Sequence, residues 1–137
     1  MLDRVDGQAP AGTQTRHEGN GGPERLLLVE DETALRVVTE RILREHGYEV
    51  VTAVDGIDAL EVFDRLDGQI DALVTDVAMP RMRGDELAMR LAERRPGLPV
   101  VMMSGYAAGD VVGHDRVLEK PVSQAELLRA IREALDA

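Results

Sequence analysis

The sequence predicts a doubly wound α/β domain, in which helices cover both faces of a parallel sheet. Two observations predict it. Short apolar runs alternate with amphipathic segments, and several runs are almost continuously hydrophobic, as buried parallel strands are. The chain has 137 residues and is 44% apolar, enough for one domain with one core. The five predicted strands are Leu26–Val29, Glu49–Ala53, Ala72–Thr75, Val100–Met103 and Val117–Leu118.

The segments between these runs carry helical patterns of differing strength. The last helix has the clearest pattern, because Ser123 and Glu126 form a capping box ahead of an apolar stripe that includes Leu127 and Ile131. The other apolar residues at helical spacing are Leu35, Val38 and Ile42 in the first segment, Ile57, Leu60 and Phe63 in the second, and Leu87 and Leu91 in the third.

Residues 1–24 differ from the rest of the chain. They contain five glycines and two prolines, with almost nothing apolar after Val5. Such a segment cannot bury enough surface to offset the entropy lost on ordering. We therefore predict a flexible tail or linker over residues 1–24 and a folded domain over residues 25–137.

Composition excludes several classes of function. With 16 basic and 26 acidic residues, the net charge is −10, which argues against direct binding of nucleic acid through its phosphates. Two tyrosines and one phenylalanine are too few for a base-stacking surface, and without cysteine there is no disulfide or thiolate chemistry. No apolar run approaches the ~18 residues of a membrane span, and the N-terminus lacks a secretory pattern. We expect a cytoplasmic domain with no membrane insertion.

Polar residues follow the ends of the predicted strands. Glu30 and Asp31 follow the first strand, Asp76 the third, Ser104 the fourth and Lys120 the fifth. Sites in open parallel sheets form at the carboxyl ends of the strands, so these side chains are expected to meet at one edge. Lys120 is also the only lysine among the 16 basic residues, the others being arginine.

Three crowded carboxylates need a compensating charge, because they would repel one another. A hard divalent cation such as Mg²⁺ supplies it, since Mg²⁺ prefers oxygen ligands and uses one or two carboxylates. A metal ion beside a carboxylate nucleophile, a hydroxyl and a lysine is suited to phosphoryl transfer, which depends on positioning and charge neutralisation.

The motifs LLLVEDE, DALVTDVAMPRMRG, VVMMSGY and LEKP resemble, in this order and spacing, the CheY-like receiver domain of two-component response regulators. The resemblance covers about residues 25–137. It implies a flavodoxin-like (βα)5 fold with strand order 2-1-3-4-5. It also implies a phosphoacceptor that undergoes only self-phosphorylation and slow autodephosphorylation. The partner it implies is a histidine kinase or a histidine phosphotransfer protein.

The resemblance assigns the phosphoacceptor role to Asp76, whose carboxylate would attack a phosphohistidine on the partner. It implies that Asp31 ligates Mg²⁺ directly and that Glu30 acts through a water molecule. Asp76 itself and the backbone carbonyl of Ala78 would complete the protein ligands.

The resemblance also implies roles for the last two strand ends. Ser104 would bind a phosphoryl oxygen, and Lys120 would pair with the phosphoryl group or, before its arrival, with Asp76. The bond between Lys120 and Pro121 is expected to be cis, which proline makes accessible. Gly84 would allow a tight turn before the third helix.

Two features depart from the family pattern. Val117 occupies the position of an aromatic residue that changes rotamer on phosphorylation in typical receivers. Ser104 and Lys120 are only 16 positions apart, fewer than usual, so we expect the fourth of the five helices to be short, irregular or absent. We therefore predict that output does not use the common switch between that helix and the fifth strand.

With Ala78 and Tyr106 at positions that tune dephosphorylation, we also expect a long-lived phosphoryl state.

Other functions remain open at this stage. The chain could be a degenerate receiver that acts as a binding scaffold. A Mg²⁺-dependent aspartyl phosphatase of the haloacid-dehalogenase type is disfavoured, because it needs an acid where Ala78 stands. The acidic EDETALR segment also disfavours a flavin-binding flavodoxin. Because no DNA-binding output domain follows the last helix, we expect action through protein contacts, either as a stand-alone receiver or as the C-terminal receiver of a hybrid histidine kinase.

Overall fold

The computed structural model describes residues 23–105 and 116–137, in which strands and helices alternate. The predicted strands are confirmed, with ends that agree to within one residue. The strands are β1 (Arg25–Val29), β2 (Glu49–Ala53), β3 (Ala72–Asp76), β4 (Val100–Ser104) and β5 (Val117–Glu119), and the helices are α1 (Thr33–Glu45), α2 (Gly56–Arg65), α3 (Gly84–Arg94) and α4 (Gln124–Asp136).

The five strands form one parallel sheet in the order β2-β1-β3-β4-β5. This is the flavodoxin-like order that the sequence motifs implied. Strand β3 is buried along its whole length and lies at the centre of the sheet. The carboxyl ends of β1, β3, β4 and β5 therefore lie side by side along one edge.

Two apolar cores lie on opposite faces of the sheet. Neighbouring residues of a strand point to opposite faces, so Leu27 joins Leu87 of α3 in one core, whereas Leu26 joins Ile131 of α4 in the other. All four of these side chains are fully buried. This burial on both faces explains why several of the strands are almost continuously hydrophobic in sequence.

Helix α4 begins as the sequence predicted. The Ser123 hydroxyl accepts a hydrogen bond from the backbone N–H of Glu126, and the Glu126 carboxylate accepts one from the backbone N–H of Ser123. The capping box is therefore complete. None of the helices in the described part of the chain combines the length and the apolar character needed to cross a membrane.

Helix α1 exposes apolar residues that helical spacing alone does not explain. Leu35 is 41% and Val38 is 50% exposed, whereas Leu43 is fully buried. Met89 of α3 is likewise exposed, at 58%. Periodicity identifies the residues that share a helix face, but not what covers that face.

Three sequence-based expectations lie outside the described residues: the short helix between β4 and β5, the role of Tyr106 and most of the predicted tail. Glu24, the last residue assigned to that tail, contacts the folded domain. Its backbone carbonyl accepts a hydrogen bond from Glu49, and its carboxylate pairs with Arg132 of α4, with Oε2 2.6 Å from Nη2. The boundary between tail and domain stays a prediction, and these contacts make Glu24 a residue on which to test it.

Candidate functional site

Four strand ends bring polar side chains to the same edge of the sheet. Asp76 is the last residue of β3 and Ser104 the last of β4, while Glu30 and Lys120 directly follow β1 and β5. Asp76 and Ser104 are only 5% and 2% exposed, so both residues are buried at this edge of the sheet and do not lie on the outer surface. The structure thus brings these predicted site residues to the same end of four adjacent strands.

Three carboxylates form a cluster at this edge. One carboxylate oxygen from each of Glu30, Asp31 and Asp76 lies within 4.8 Å of the other two. Glu30 and Asp76 are buried, whereas Asp31 is exposed, so the cluster opens to solvent on one side. The donor set is all oxygen, anionic and partly accessible, which fits a Mg²⁺ ion that keeps several waters.

Lys120 is the cation that faces these acids. Its Nζ lies 2.7 Å from Asp76 Oδ1 and 4.0 Å from Glu30 Oε1. Burial alone would lower the pKa of Lys120, but the hydrogen bond and the negative charge of Asp76 raise that pKa above its ordinary value. The ammonium is therefore held in its charged form against the acidic cluster.

The short strand β5 delivers Lys120 to the edge. The backbone N–H of Lys120 donates a hydrogen bond of 2.7 Å to the carbonyl of Ser104, which fixes the lysine beside the end of β4. The peptide bond between Lys120 and Pro121 is cis, as the resemblance implied, and Pro121 itself is exposed.

Glu30 is held more tightly than its position in a loop suggests. Its backbone N–H donates to the carbonyl of Ala53, and its own carbonyl accepts a hydrogen bond from the Arg36 guanidinium at 2.8 Å. Its carboxylate accepts one from the backbone N–H of Glu32. Burial raises the pKa of Glu30 to about 7, with the nearby Asp76 charge acting in the same direction. A bound divalent cation would favour the ionised form instead.

The backbone of Asp76 is fixed from two sides. The Thr75 hydroxyl is fully buried and donates a hydrogen bond of 2.9 Å to the carbonyl oxygen of Asp76. On the other side, a Cβ added to Gly84 would overlap this same carbonyl oxygen. The backbone N–H of Gly84 also donates a hydrogen bond of 2.8 Å to the carbonyl of Val77, which closes the loop directly before α3. Gly84 has no positive φ, and it is glycine because it closely approaches Asp76.

The remaining predicted residues surround this centre. Ala78 is exposed in the loop that follows β3, and Val117 begins β5, where it is half-buried and packs against the core between the sheet, α2 and α3. Tyr106 lies outside the described residues, so its expected effect on dephosphorylation stays a prediction. Sequence reasoning missed Thr75, whose hydroxyl looks like ordinary strand composition until its partner is known.

Comparison with known proteins places this geometry in context. Residues 26–132 match the family model described as "Response regulator receiver domain". The chain is 36% identical over 121 residues to the sensor kinase CckA of Brucella abortus, covering 84% of this chain and 13% of the kinase. It is 39% identical over 117 residues to the response regulator MprA of Mycobacterium leprae, covering 81% of this chain and 50% of that regulator.

Solved structures show the same likeness. The response regulator TrrA of Thermotoga maritima, crystallised in complex with Mg²⁺–BeF, superposes with a TM-score of 0.73 at 27% identity, covering 82% of this chain and 99% of TrrA. The chain spans about half the length of MprA and a much smaller part of CckA, so the likeness concerns one domain of each.

Proposed function

The chain belongs to the response regulator receiver domain family, and from that premise we propose that it is a phosphoacceptor of two-component signalling in which Asp76 takes the phosphoryl group. Receivers of this family are phosphoacceptors that accept the group from histidine kinases or phosphotransfer proteins, and are not turnover enzymes. One observation supports this assignment of the acceptor most directly: within the acidic cluster, Asp76 is the carboxylate nearest to Lys120, with Oδ1 2.7 Å from Nζ, whereas Glu30 Oε1 lies 4.0 Å away.

The proposed step is an attack by a carboxylate oxygen of Asp76 on the phosphorus of a phosphohistidine. A P–O bond forms, the P–N bond breaks, and the electron pair returns to the histidine nitrogen, which takes up a proton. The product is an acyl phosphate on Asp76 and a free histidine on the partner. Bound Mg²⁺, held by Asp31, Asp76 and the Ala78 carbonyl with Glu30 acting through water, would neutralise phosphoryl charge.

The chain's own residues perform the rest of this step. Lys120 moves with little displacement from its contact with Asp76 to a phosphoryl oxygen, since both lie at the same strand edge. We propose that the hydroxyl of Ser104, the last residue of the neighbouring strand, donates to a second phosphoryl oxygen. The buried floor formed by Glu30 and Asp76 keeps this charge exchange partly out of water, where electrostatic contacts are stronger.

We propose that the phosphorylated domain acts through protein contacts. Likeness to a sensor kinase and to a response regulator supports two contexts, a receiver within a hybrid kinase and a receiver that works apart from its kinase. The kinase or phosphotransfer partner and the downstream protein are the parts of this proposal that need a binding experiment. With Val117 in place of an aromatic residue, the output is proposed to bypass the aromatic switch of typical receivers.

The chemical nature of the adduct tests the proposal. The full chain is incubated with Mg²⁺ and acetyl phosphate, and its intact mass is measured before and after hydroxylamine treatment. Acyl phosphates react with hydroxylamine, whereas phosphoserine and phosphothreonine do not. We expect a single phosphoryl adduct that hydroxylamine removes. A folded protein that gains no adduct would favour the scaffold function, and an adduct that resists hydroxylamine would exclude Asp76 as the acceptor.

A further inference from the structure

The loop between β3 and α3 contains a strained arginine. Arg81 has a φ of 71°, in the left-handed region that residues with side chains seldom adopt. The backbone N–H of Met82 donates a hydrogen bond of 2.8 Å to the carbonyl of Pro80, so Arg81 stands at the centre of a three-residue γ-turn. The positive-φ form of this turn is rare and strained, and it persists only when its surroundings hold it.

The residue that holds Arg81 in this conformation lies at the start of α2. The Arg81 guanidinium forms a hydrogen-bonded ion pair with the carboxylate of Asp55, whose side chain is only 6% exposed. Asp55 is the N-cap of α2 and also accepts a hydrogen bond of 2.8 Å from the backbone N–H of Asp58. Arg81 is thus the charge partner of a carboxylate that is buried at a helix start.

A second contact joins the loop between β3 and α3 to α2. A Cβ on Gly56, the first residue of α2, would lie 2.8 Å from Cβ and 2.9 Å from Sδ of Met82. Only glycine lets the loop pack this closely. The tip of the loop is therefore attached to α2 at two adjacent residues, Arg81 and Met82.

The base of this loop is the acceptor strand. Val77 donates a backbone hydrogen bond to Met103 of β4, and its carbonyl accepts one of 2.8 Å from Gly84. The loop is thereby closed on itself directly behind Asp76. Ala78 lies between this closed base and the tip that Arg81 fixes, so the ion pair with Asp55 limits the conformations open to Ala78.

We propose that Arg81 is a positioning residue, whose ion pair with Asp55 holds the strained loop in the conformation that orients Ala78 and Asp76 toward the metal. This inference rests on the proposed function. It adds a contact on α2, outside the acidic cluster, that sets the affinity of the site for Mg²⁺.

Two variants separate the ion pair from the folding of the loop. Arg81→Gly removes the guanidinium while suiting the positive φ, so the loop loses its strain together with its attachment. Asp55→Asn keeps an N-cap acceptor for α2 but removes the charge that faces Arg81. Arg83→Ala is the matched control, because Arg83 lies in the same loop but pairs with the neighbouring Asp85 at the surface.

The readouts are the Mg²⁺ dissociation constant by titration calorimetry, the thermal midpoint, and the phosphorylation rate at saturating Mg²⁺. Residues that orient metal ligands typically change metal affinity by 10–100-fold, so we expect both variants to weaken Mg²⁺ binding by about 10-fold. At saturating Mg²⁺ the phosphorylation rate should largely recover, since the loop can still adopt the bound conformation. Arg81→Lys, which keeps the charge, should restore part of the affinity, and Arg83→Ala should match the wild type.

Unchanged Mg²⁺ affinity in both variants would overturn the proposal, whether or not the thermal midpoint falls, because a purely structural pair changes stability alone. If the wild-type chain itself failed to bind Mg²⁺ or to accept a phosphoryl group, the proposed function would be refuted, and this inference would be refuted with it. Wild-type phosphorylation beside unchanged affinity in the variants would reject only the positioning role.

Discussion

Lys120 Nζ lies 2.7 Å from Asp76 Oδ1, across the ends of two strands that are separated in the sheet by β4. The contact places the chain's only lysine on a buried carboxylate of the acidic cluster. In the absence of a metal ion, this ammonium offsets part of the repulsion among three carboxylates. We expect it to offset the phosphoryl charge during transfer in the same way.

Replacing Lys120 should therefore slow phosphorylation while leaving the fold intact. Lys120→Gln removes the charge but keeps a polar side chain of similar reach. Loss of one charge-stabilising group at a reacting centre typically costs about 100-fold or more in rate, and we expect an effect of that order with acetyl phosphate as donor. Arg90→Gln is the control, because Arg90 pairs with Glu86 on an exposed helix face. Equal rates in the two variants would show that Lys120 takes no part in the transfer.

Gly84→Ala should destabilise the domain strongly. The added Cβ would overlap the Asp76 carbonyl oxygen and lie 3.1 Å from the Cα of Val77, and neither backbone atom can rotate away. Overpacking of this kind costs up to about 3 kcal/mol in the free energy of unfolding, measured by urea denaturation. Gly105→Ala is the matched control, since its Cβ would meet no atom of residues 23–105 or 116–137 within 4 Å. A loss no larger than that of the control would mean that the close approach behind Asp76 is easily relaxed.

Asp55 should make stability depend on acidic pH. The hydrogen bond from the Asp58 backbone N–H, helped by the Arg81 guanidinium, holds the pKa of the Asp55 carboxyl below its ordinary value. Because the folded pKa is the lower one, this group stabilises the fold fully above its unfolded pKa of about 3.9 and loses that contribution as the pH falls through the folded pKa.

The corresponding experiment compares the free energy of unfolding of wild type and Asp55→Asn across pH. The difference between them should be largest above about pH 5 and should shrink below about pH 4. Asp64→Asn, which removes a surface carboxylate paired with Arg94, controls for the loss of one negative charge. A difference that grows as the pH falls would contradict the direction of the shift.

The start of the folded domain can be tested at Glu24. Its two carboxylate oxygens accept hydrogen bonds from the Arg132 guanidinium at 3.2 and 2.6 Å, which ties the residue before β1 to α4. Glu24→Gln should lower the free energy of unfolding by about 1 kcal/mol, while a chain that begins at Pro23 should be as stable as the full chain. If removal of residues 1–22 were as destabilising as the substitution, the predicted tail would belong to the domain.

Most of the fold follows from local sequence pattern, and particular elements show why. The runs Leu26–Val29 and Ala72–Val74 are continuously apolar because their strands are covered on both faces, and helices such as α4 carry their own capping residues. Once five parallel strands are inferred, topology brings Asp76, Ser104 and Lys120 to one edge. The residues of the candidate site could therefore be predicted from the sequence alone.

The structural features that the sequence did not predict are set by contacts between distant segments. Arg81 and Asp55 are 26 positions apart, and neither residue type announces an ion pair or a strained turn. The role of Thr75 depends on the direction of one hydroxyl, and that of Gly84 on the approach of another segment's carbonyl. The exposure of Leu35 and Val38 likewise depends on what the rest of the chain leaves uncovered.

The most direct test of the account is the intact mass of the wild-type chain and of Asp76→Asn after incubation with acetyl phosphate, each with and without Mg²⁺. Asp64→Asn serves as a control for loss of a surface carboxylate, and circular dichroism confirms that each variant is folded. We predict one phosphoryl group on the wild type and on the control, only with Mg²⁺, and none on Asp76→Asn. A phosphoryl group on folded Asp76→Asn, or none on the folded wild type, would contradict Asp76 as the phosphoacceptor.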